Sequence, residues 1–323
     1  MENRTPIQKQ MNQLGTLGLP FVFLIDFLME YPQIFSFDDP SGKIKWQIHN
    51  LNNSYFSTKI PALKQWNIYP VTYEIYRKGF DLIQQHILNG NTFLLNYTQP
   101  TIVETNLTLD EIFQISIAPY KILLKNKFVC FSPESFVKIA NGKISSFPMK
   151  GTIDADNNDA EKLILSDSKE LAEHSTIVDL IRNDLSIVAD NVIVEKFRYI
   201  DRIHTNQKDL LQISSKITGD LPRNYPEIIG DILFSMLPAG SISGAPKKKT
   251  VDIILEAENY NRGYYTGVFG IFDGKNLDSC VLIRFIENQN GRLVYKSGGG
   301  ITFMSDPESE YNEMINKVYV PIS

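Results

Sequence analysis

Apolar residues alternate with polar ones, or run together with β-branched residues, in ten short stretches of the chain that are typical of strands. Between them lie stretches in which apolar residues return every three or four positions, the period of a helix with one buried face. We predict strands at 20–26, 92–98, 126–131, 135–139, 143–148, 191–198, 209–217, 264–273, 277–286 and 292–297. We predict helices at 73–89, 108–117, 156–164, 167–187, 225–236, 246–258 and 306–317.

Short turns between neighbouring strands indicate antiparallel pairing. Asp273-Gly274 and Asn290-Gly291 are dipeptides typical of hairpins. We therefore expect an α+β fold rather than a parallel nucleotide-binding sheet. No linker rich in proline, glycine or serine divides the chain, and the irregular stretch 29–72 is the only candidate boundary. We expect a single domain over 1–323.

Charge and composition exclude several classes of protein. The 323 residues carry 32 Lys and Arg against 37 Asp and Glu, a net charge of −5, which argues against nucleic acid as the main partner. The longest apolar run, 19–29, is too short to span a bilayer, and the N-terminus lacks the apolar core of a signal peptide. Cys130 and Cys280 form no CxxC pair. We expect a cytoplasmic protein without a membrane partner.

Two predicted helices carry carboxylates at helical spacing. Glu170 and Glu173 are three residues apart on one helix, and Glu310, Glu313 and Lys317 follow one stripe of another. Carboxylates that converge from two helices suit a hard cation such as Mg²⁺, which takes one or two of them directly and keeps waters for the rest. The alternative interpretation is two solvated helix surfaces.

A glycine run, Ser297-Gly298-Gly299-Gly300, follows a predicted strand and precedes the second acidic helix. Glycine lets the backbone approach a ligand closely and present several N–H groups to an anion. The alternative interpretation is a bulge or a tight turn. Both alternatives remain open from the residues alone.

Three other residues are candidates for chemistry. Lys150, in the segment PMKGT, is either an ordinary surface lysine or a nucleophile, if neighbouring cations and desolvation remove its proton. Arg284 lies between apolar residues of a predicted strand, where arginine is often paired with an anion. His174 shares a helix face with apolar neighbours, so we interpret it as a histidine packed in the core.

The order of several short segments along the chain resembles that of the chorismate-utilising enzymes. These segments are SPES, PMKGT, SKELAEHSTIVDLIRND, LPAGSISGAPK, YYTGVFG, IRF, SGGGI and SDPESEYNEMINK. Within that family the chain resembles the component I group of aminodeoxychorismate synthases most. The resemblance covers about 75–320, the catalytic core, and leaves 1–74 as an abbreviated N-terminal portion of one chorismate-binding domain.

The resemblance implies a large α+β sandwich of two antiparallel sheets flanked by helices, and a Mg²⁺-dependent reaction on chorismate. It implies that Glu173 and Glu313 bind the metal directly, and that Glu170 and Glu310 act through water. The residues implied to bind the substrate are Gly151, Tyr265, Arg284, Gly298, Gly299, Gly300 and Lys317.

The resemblance also implies the reaction type. Anthranilate synthases carry PxAGT where this chain has PMKGT, and Lys150 is implied to attack chorismate covalently. Glu134 takes the position of the general acid, and Thr152 lies in the catalytic segment. The implied product is 4-amino-4-deoxychorismate, a precursor of para-aminobenzoate and folate. Ammonia would come from a separate glutamine amidotransferase subunit.

One position departs from the family pattern. Leu94 stands where related enzymes carry a polar residue, and leucine cannot activate water, which argues against a hydrolytic isochorismate or salicylate synthase. Two other functions stay open. One is that of anthranilate synthase component I, which converts chorismate to anthranilate and pyruvate. The other is noncatalytic binding of chorismate.

Overall fold

The fold is described from a computed structural model, which covers residues 5–54, 61–166, 168–204 and 209–322. The chain divides into two compact units. Unit 1 comprises Met1–Pro20, Ser135–Ser241 and Ile271–Ser279. Unit 2 comprises Phe21–Glu134, Ile242–Gly270 and Cys280–Ser323. Our expectation of one folding domain stays a prediction.

Eight α-helices and eighteen strands lie in the described part of the chain. The helices are α1 (Pro6–Thr16), α2 (Tyr73–Leu88), α3 (Leu109–Ile115), α4 (Ala160–Ser166), α5 (Ser168–Ser186), α6 (Ile229–Ser235), α7 (Lys247–Ala257) and α8 (Pro307–Asn316). The strands are β1 (Phe21–Ile25), β2 (Gln33–Phe35), β3 (Ile44–Ile48), β4 (Leu51–Asn52), β5 (Trp66–Pro70), β6 (Leu94–Thr105), β7 (Tyr120–Leu124), β8 (Phe128–Ser132), β9 (Ser135–Ala140), β10 (Lys143–Ser146), β11 (Met149–Asp154), β12 (Asp190–His204), β13 (Asp209–Asp220), β14 (Gly244–Ala245), β15 (Val268–Phe272), β16 (Leu277–Val281), β17 (Phe285–Gln289) and β18 (Arg292–Ile301).

The described strands form two nine-stranded sheets. In unit 1 the order is β11-β13-β10-β9-β16, and β12 also pairs with β13. In unit 2, β15, β1 and β2 are neighbours, and the second sheet has the order β14-β6-β18-β17-β8-β7-β3-β4, with β5 on β6. Every strand pair whose register is known is antiparallel, for example β6 with β18 and β12 with β13. The predicted α+β fold with two antiparallel sheets and helices is confirmed.

All seven predicted helices are present, although the segment 225–236 opens with a 3₁₀ turn, Tyr225–Ile228, before α6. Capping explains two of the starts. The Thr108 side chain accepts from the Glu111 backbone N–H at 3.3 Å, and Asp306 accepts from Ser309 N–H at 2.8 Å. Among the α-helices of the described residues, α1 is the one that the sequence did not predict, and its buried residues are Met11, Asn12 and Gly15.

Helix α5 packs on the strands of unit 1 through the face that its spacing predicts. Ile177, Val178 and Leu185 are buried there, and His174 is only 1% exposed, so its interpretation as a core histidine is confirmed. The apolar spacing of this helix also predicts Leu171 on the buried face, and this prediction is wrong, because Leu171 is 40% exposed. It lies in the first turn of the helix, where the apolar stripe has not yet reached the sheet.

A buried lysine lies in unit 2 between β7 and the end of α3. The Lys121 ammonium donates to the carbonyl oxygens of Phe113 and Ser116 at 2.8 and 3.0 Å. It also lies 4.9 Å from the centroid of the Phe113 ring. Desolvation lowers the pKa of Lys121 from 10.5 to about 8. The last carbonyl groups of a short helix thus gain a donor that is partly neutral near physiological pH.

No helix in the described residues is both long and apolar enough to cross a membrane.

The lowered pKa of Lys121 makes stability depend on pH. Because the folded state binds fewer protons than the unfolded state between pH 8 and 10.5, the free energy of unfolding rises over that window. We expect the wild type to gain on the order of 3 kcal/mol relative to Lys121→Met between these limits. Urea unfolding of both proteins at several pH values measures the difference. A difference that does not change with pH would contradict the assignment.

Candidate active site

In unit 1 the segment PMKGT forms the start of β11. Lys150 pairs with Ile213 and Thr152 with Gln212 of β13, and a bulge lies between the two pairs. Gly151, in the bulge, has a φ of +68°, which favours glycine. The side chains of Lys150 and Thr152 lie outside the described part of the structure. Their backbone positions place both residues at an irregular point of β11, the strand at one end of the sheet order.

The carboxylate of Glu170 lies against this bulge. A Cβ atom added to Gly151 would be 3.1 Å from Glu170 Oε2, so glycine leaves room for the acid. Glu173 is half-buried one turn further along α5. The next residue, His174, is hydrogen-bonded through Nε2 to Ser215 Oγ of β13 at 2.7 Å. This bond anchors the acidic part of α5 to the strand that pairs with β11.

In unit 2 the glycine run lies inside β18 rather than after it. Gly298, Gly299 and Gly300 are opposite Thr98, Tyr97 and Asn96 of β6 in an unbroken register. This corrects the predicted strand end at 297, and the alternative interpretation as a turn or bulge does not hold. A Cβ on Gly298 would lie 2.0 Å from Tyr97 O, so only glycine permits the ladder here.

Helix α8 places its acidic stripe beside these glycines. A Cβ on Gly299 would meet Glu310 Oε2 at 3.3 Å, Glu313 Oε1 at 3.4 Å and Lys317 Nζ at 3.7 Å. Lys317 bridges the groups, because its ammonium donates to Gly298 O at 2.9 Å and to Glu313 Oε1 at 2.5 Å. Burial, and then the charge of Glu310, raises the pKa of Tyr76 on the facing helix α2. Glu310, Glu313 and Lys317 thus lie together beside Gly299, and their role in binding stays a prediction.

Arg284 is displaced from the position that its sequence predicts. It lies between β16 and β17 with a φ of +56°, which corrects the single predicted strand 277–286. The chain leaves one sheet at Val281 and joins the other at Phe285, and the left-handed residue makes that turn. The guanidinium carbon lies 5.3 Å from the centroid of the Tyr319 ring.

Two backbone hydrogen bonds connect the segment that ends at Glu134 with the segment that contains Arg284. Val281 N–H donates to Glu134 O at 3.1 Å, and Phe131 N–H donates to Arg284 O at 3.1 Å. Glu134 itself is half-buried. Tyr265 is buried, and its ring centroid is 5.9 Å from that of Phe285, the residue after Arg284. Burial raises the pKa of the Tyr265 hydroxyl, which therefore stays a hydrogen-bond donor at neutral pH.

The carboxylates of α8 fit the chemistry of a magnesium ion in part. Glu310 and Glu313 present oxygens to one point beside Gly299, where the missing Cβ leaves space. Mg²⁺ binds through one or two carboxylates and keeps several waters, so this pair is a sufficient protein contribution. Among the described residues, no three His, Cys, Asp or Glu side chains converge closely enough to hold a metal. The set of four carboxylates stays a prediction.

Sequence reasoning missed a buried ion pair in unit 2. Glu258 and Arg262 are four residues apart, but α7 ends at Ala257, so they are not a pair on a helix surface. The sequence signal that could have revealed this ion pair is the acidic and the basic residue just before the segment YYTGVFG.

Leu94, which departs from the family pattern, is buried and lies opposite Ala245 of β14.

The sequence profile of the chorismate binding enzymes matches residues 45–323. The chain is 49% identical over 316 residues to an uncharacterized PabA-like protein of Pasteurella multocida, covering 97% of this chain and 98% of that protein. A solved structure of anthranilate synthase component I from Streptococcus pneumoniae has a TM-score of 0.67 and 26% identity, covering 81% of this chain and 60% of that one.

Two relatives carry names for different reactions. Anthranilate synthase component 1 of Acetivibrio thermocellus is 36% identical over 250 residues, 72% of this chain and 49% of that protein. Aminodeoxychorismate synthase component 1 of Bacillus subtilis is 31% identical over 265 residues, 77% of this chain and 55% of that protein. The chain thus spans about half the length of each. It belongs to the family of chorismate binding enzymes.

The position of Glu313 leads to a test of the metal site. We expect Glu313→Gln to weaken Mg²⁺ binding by at least about tenfold, since even indirect partners of a metal contribute that much. Isothermal titration of the protein with MgCl₂ measures the affinity without any turnover. Glu308→Gln, an exposed residue of the same helix, is the matched control and should bind as the wild type does. Equal affinities for all three proteins would remove Glu313 from the metal site.

Proposed function

We propose that this protein aminates chorismate with ammonia to give 4-amino-4-deoxychorismate, the reaction of an aminodeoxychorismate synthase component I. The observation that carries the proposal is the position of Lys150. Its backbone enters a bulge at the left-handed Gly151, against which the Glu170 carboxylate lies. Within a family of chorismate binding enzymes, a lysine at this point is proposed as an amine nucleophile, where the resemblance implies alanine in anthranilate synthases. The Glu170 carboxylate favours the ammonium form, so the amine must give up a proton before it attacks.

The proposed reaction has two substitutions. The neutral amine of Lys150 bonds to C2 of chorismate, the ring double bonds shift, and the C4–O bond breaks. Glu134 donates a proton to the departing oxygen, so that water leaves. Ammonia then bonds to C4, gives up one proton that restores the acid form of Glu134, and the double bonds shift back. The Lys150 nitrogen, which gave one proton to solvent when it bonded to C2, leaves C2 with its electron pair and takes a proton back from solvent. The enolpyruvyl group stays on the ring, and no oxidant or reductant is needed.

Substrate binding is proposed for the open edge of β18. Strand β17 pairs with β18 only as far as Lys296, so within the described residues the glycines have a strand partner on the β6 side alone. Backbone groups on the other side can bind a carboxylate, and Arg284 and Tyr265 supply a cation and a hydroxyl donor. Lys317 adds positive charge beside Gly298.

Mg²⁺ would be held by Glu313 and Glu310 of α8, with Glu173 and Glu170 proposed as further partners, and when bound it supplies positive charge for the ring carboxylate and the leaving hydroxyl. A dianionic substrate would otherwise be repelled by these acids. Ammonia is proposed to come from a separate glutamine amidotransferase subunit, because the chain shows no resemblance to an amidotransferase domain with a nucleophilic cysteine. The product would serve para-aminobenzoate and folate synthesis.

Anthranilate formation is the competing function, favoured by the similarity to anthranilate synthases at 36% and 26% identity. The two reactions differ in one product. Anthranilate synthesis eliminates pyruvate, whereas amination at C4 retains the enolpyruvyl group. Lys150 favours amination, since it provides a covalent route to C4.

A product assay tests the proposal. Purified protein, chorismate, Mg²⁺ and excess ammonium near pH 8.5 should give aminodeoxychorismate without pyruvate, resolved by chromatography and mass. We expect Lys150→Ala to lose at least about a hundredfold in rate and still bind chorismate. Lys143→Ala, an exposed lysine of β10 paired with Asp220, should retain wild-type activity. Anthranilate and pyruvate as the wild-type products would refute the proposal, and full activity of Lys150→Ala would refute the covalent route.

A further inference from the structure

We propose that the buried ion pair of Glu258 and Arg262 is a positioning element that sets the geometry of the carboxylate-binding edge of β18. The inference rests on the proposed function, because it concerns the same chorismate site. Neither residue is among the candidates for substrate or metal binding. Both lie in unit 2, in the segment between α7 and β15.

The pair is buried and doubly hydrogen-bonded. The Glu258 and Arg262 side chains are 2% and 1% exposed. Arg262 Nε donates to Glu258 Oε2 at 2.8 Å, and Arg262 Nη2 donates to Glu258 Oε1 at 2.7 Å. Two parallel charge-assisted bonds fix the relative orientation of the two planar groups. The segment after α7 is therefore held rigidly without being part of a helix or strand.

Glu258 holds β6 directly opposite the glycines. Its Oε1 accepts from Thr98 N–H at 2.8 Å and from Thr98 Oγ1 at 2.7 Å. Thr98 is the register partner of Gly298, and a Cβ on Gly298 would lie 2.6 Å from Thr98 Cα. The two backbones are therefore in contact here. A shift of Thr98 would move Gly298 with it.

Arg262 connects three further segments to the same point. Its Nη2 donates to Asn96 O at 2.6 Å, and its Nη1 donates to Ile242 O at 3.1 Å and to Thr266 Oγ1 at 3.2 Å. Asn96 is the register partner of Gly300. The carbonyl oxygen of Arg262 accepts from Tyr265 N–H at 3.1 Å. Arg262 thus holds the partner strand opposite Gly300 and the backbone of Tyr265, while Glu258 holds it opposite Gly298.

Lys296 connects the pair to β18 itself. Its buried ammonium donates to Arg262 O at 2.9 Å and lies 2.9 Å from Glu287 Oε2 of β17. Lys296 is the last residue of β18 that pairs with β17, and the glycine run begins two residues later. The polar network therefore holds β18 at the point where its edge becomes open.

Fold stability alone does not account for such a network. Apolar side chains of similar volume often stabilise a protein as well as a buried ion pair does. They would leave the Asn96 and Ile242 carbonyl groups without donors and would not fix the register of β6 by directional bonds. Placement of Gly298, Gly300 and Tyr265 is what the ion pair adds.

Kinetics and binding of Arg262→Lys test the inference. Lysine keeps the charge but cannot make the two parallel bonds and reach three segments. We expect kcat/KM for chorismate to fall about tenfold to a hundredfold, with a matching rise in the dissociation constant, because shifts of about 1 Å have effects of this size. Glu258→Gln, which keeps the shape of the side chain, should show the same effect and serves if Arg262→Lys does not fold.

Ile112→Ala is the matched control for lost stability. Ile112, a residue of α3, is fully buried in the core and is not part of the network. The Ile112→Ala variant should have a lower Tm than the wild type, with kcat/KM and chorismate affinity within about twofold of the wild-type values. Wild-type affinity and kcat/KM in both Arg262→Lys and Glu258→Gln, at a temperature where each is folded, would overturn the inference alone. A wild type that fails to bind chorismate would overturn the proposed function and the inference together.

Discussion

The candidate site of unit 2 depends on two close approaches to the glycine run of β18: that of β6 at Gly298 and that of α8 at Gly299. Any side chain at Gly298 would overlap Tyr97 O, only 2.0 Å from the position of its Cβ. Because the glycines have no side chains, α8 can lie against the strand and bring two carboxylates and the Lys317 ammonium to Gly299. The missing side chains leave the backbone of β18 accessible at this edge, and they leave space for the carboxylates of α8 beside Gly299.

Charge balance connects this geometry to the proposed reaction. The protein carries a net charge of −5, and α8 adds carboxylates at the point where a dianionic substrate would bind. Lys317 neutralises one of them, and Arg284 supplies a second cation near Tyr319. A divalent cation between the carboxylates and the substrate would complete the balance. The proposed function and the proposed metal therefore support each other electrostatically.

The sequence predicted the helices better than the strands and the site. Strongly periodic segments such as α5 and α8 are recognisable because one face is apolar over several turns. Helix α1 was missed although it is amphipathic. Two of its three buried residues, Asn12 and Gly15, are not apolar: Asn12 Oδ1 accepts from Gly230 N–H of α6, and Gly15 lies against the carbonyl oxygen of Pro226. Strands β2 and β4 were missed because three and two residues are too few to show a period. Strands β3 and β5 have five residues each, and β3 was missed although Ile44, Trp46 and Ile48 alternate with polar residues.

Contacts between segments distant in sequence explain why the local sequence pattern gave the wrong structure for the glycine run and for Arg284. Glycine is normally a strand breaker, yet the run at 298–300 continues β18 because β6 approaches from one side. Arg284 looks like a strand residue among apolar neighbours, but the chain changes sheets there. Glu258 and Arg262 show no pattern in sequence, since their partners are backbone groups of β6 and two loops. The order of the short segments was the strongest functional signal. It indicated the family of chorismate-utilising enzymes, and the family profile that matches residues 45–323 confirms that family.

The most direct test of the central claim is a search for the covalent bond between Lys150 and the substrate. The protein would be incubated with chorismate and Mg²⁺ without ammonia, denatured, digested and analysed by mass spectrometry. The account predicts that the peptide containing Lys150 gains the mass of chorismate less one water. An unmodified Lys150 peptide, from protein that forms aminodeoxychorismate once ammonium is added, would contradict it.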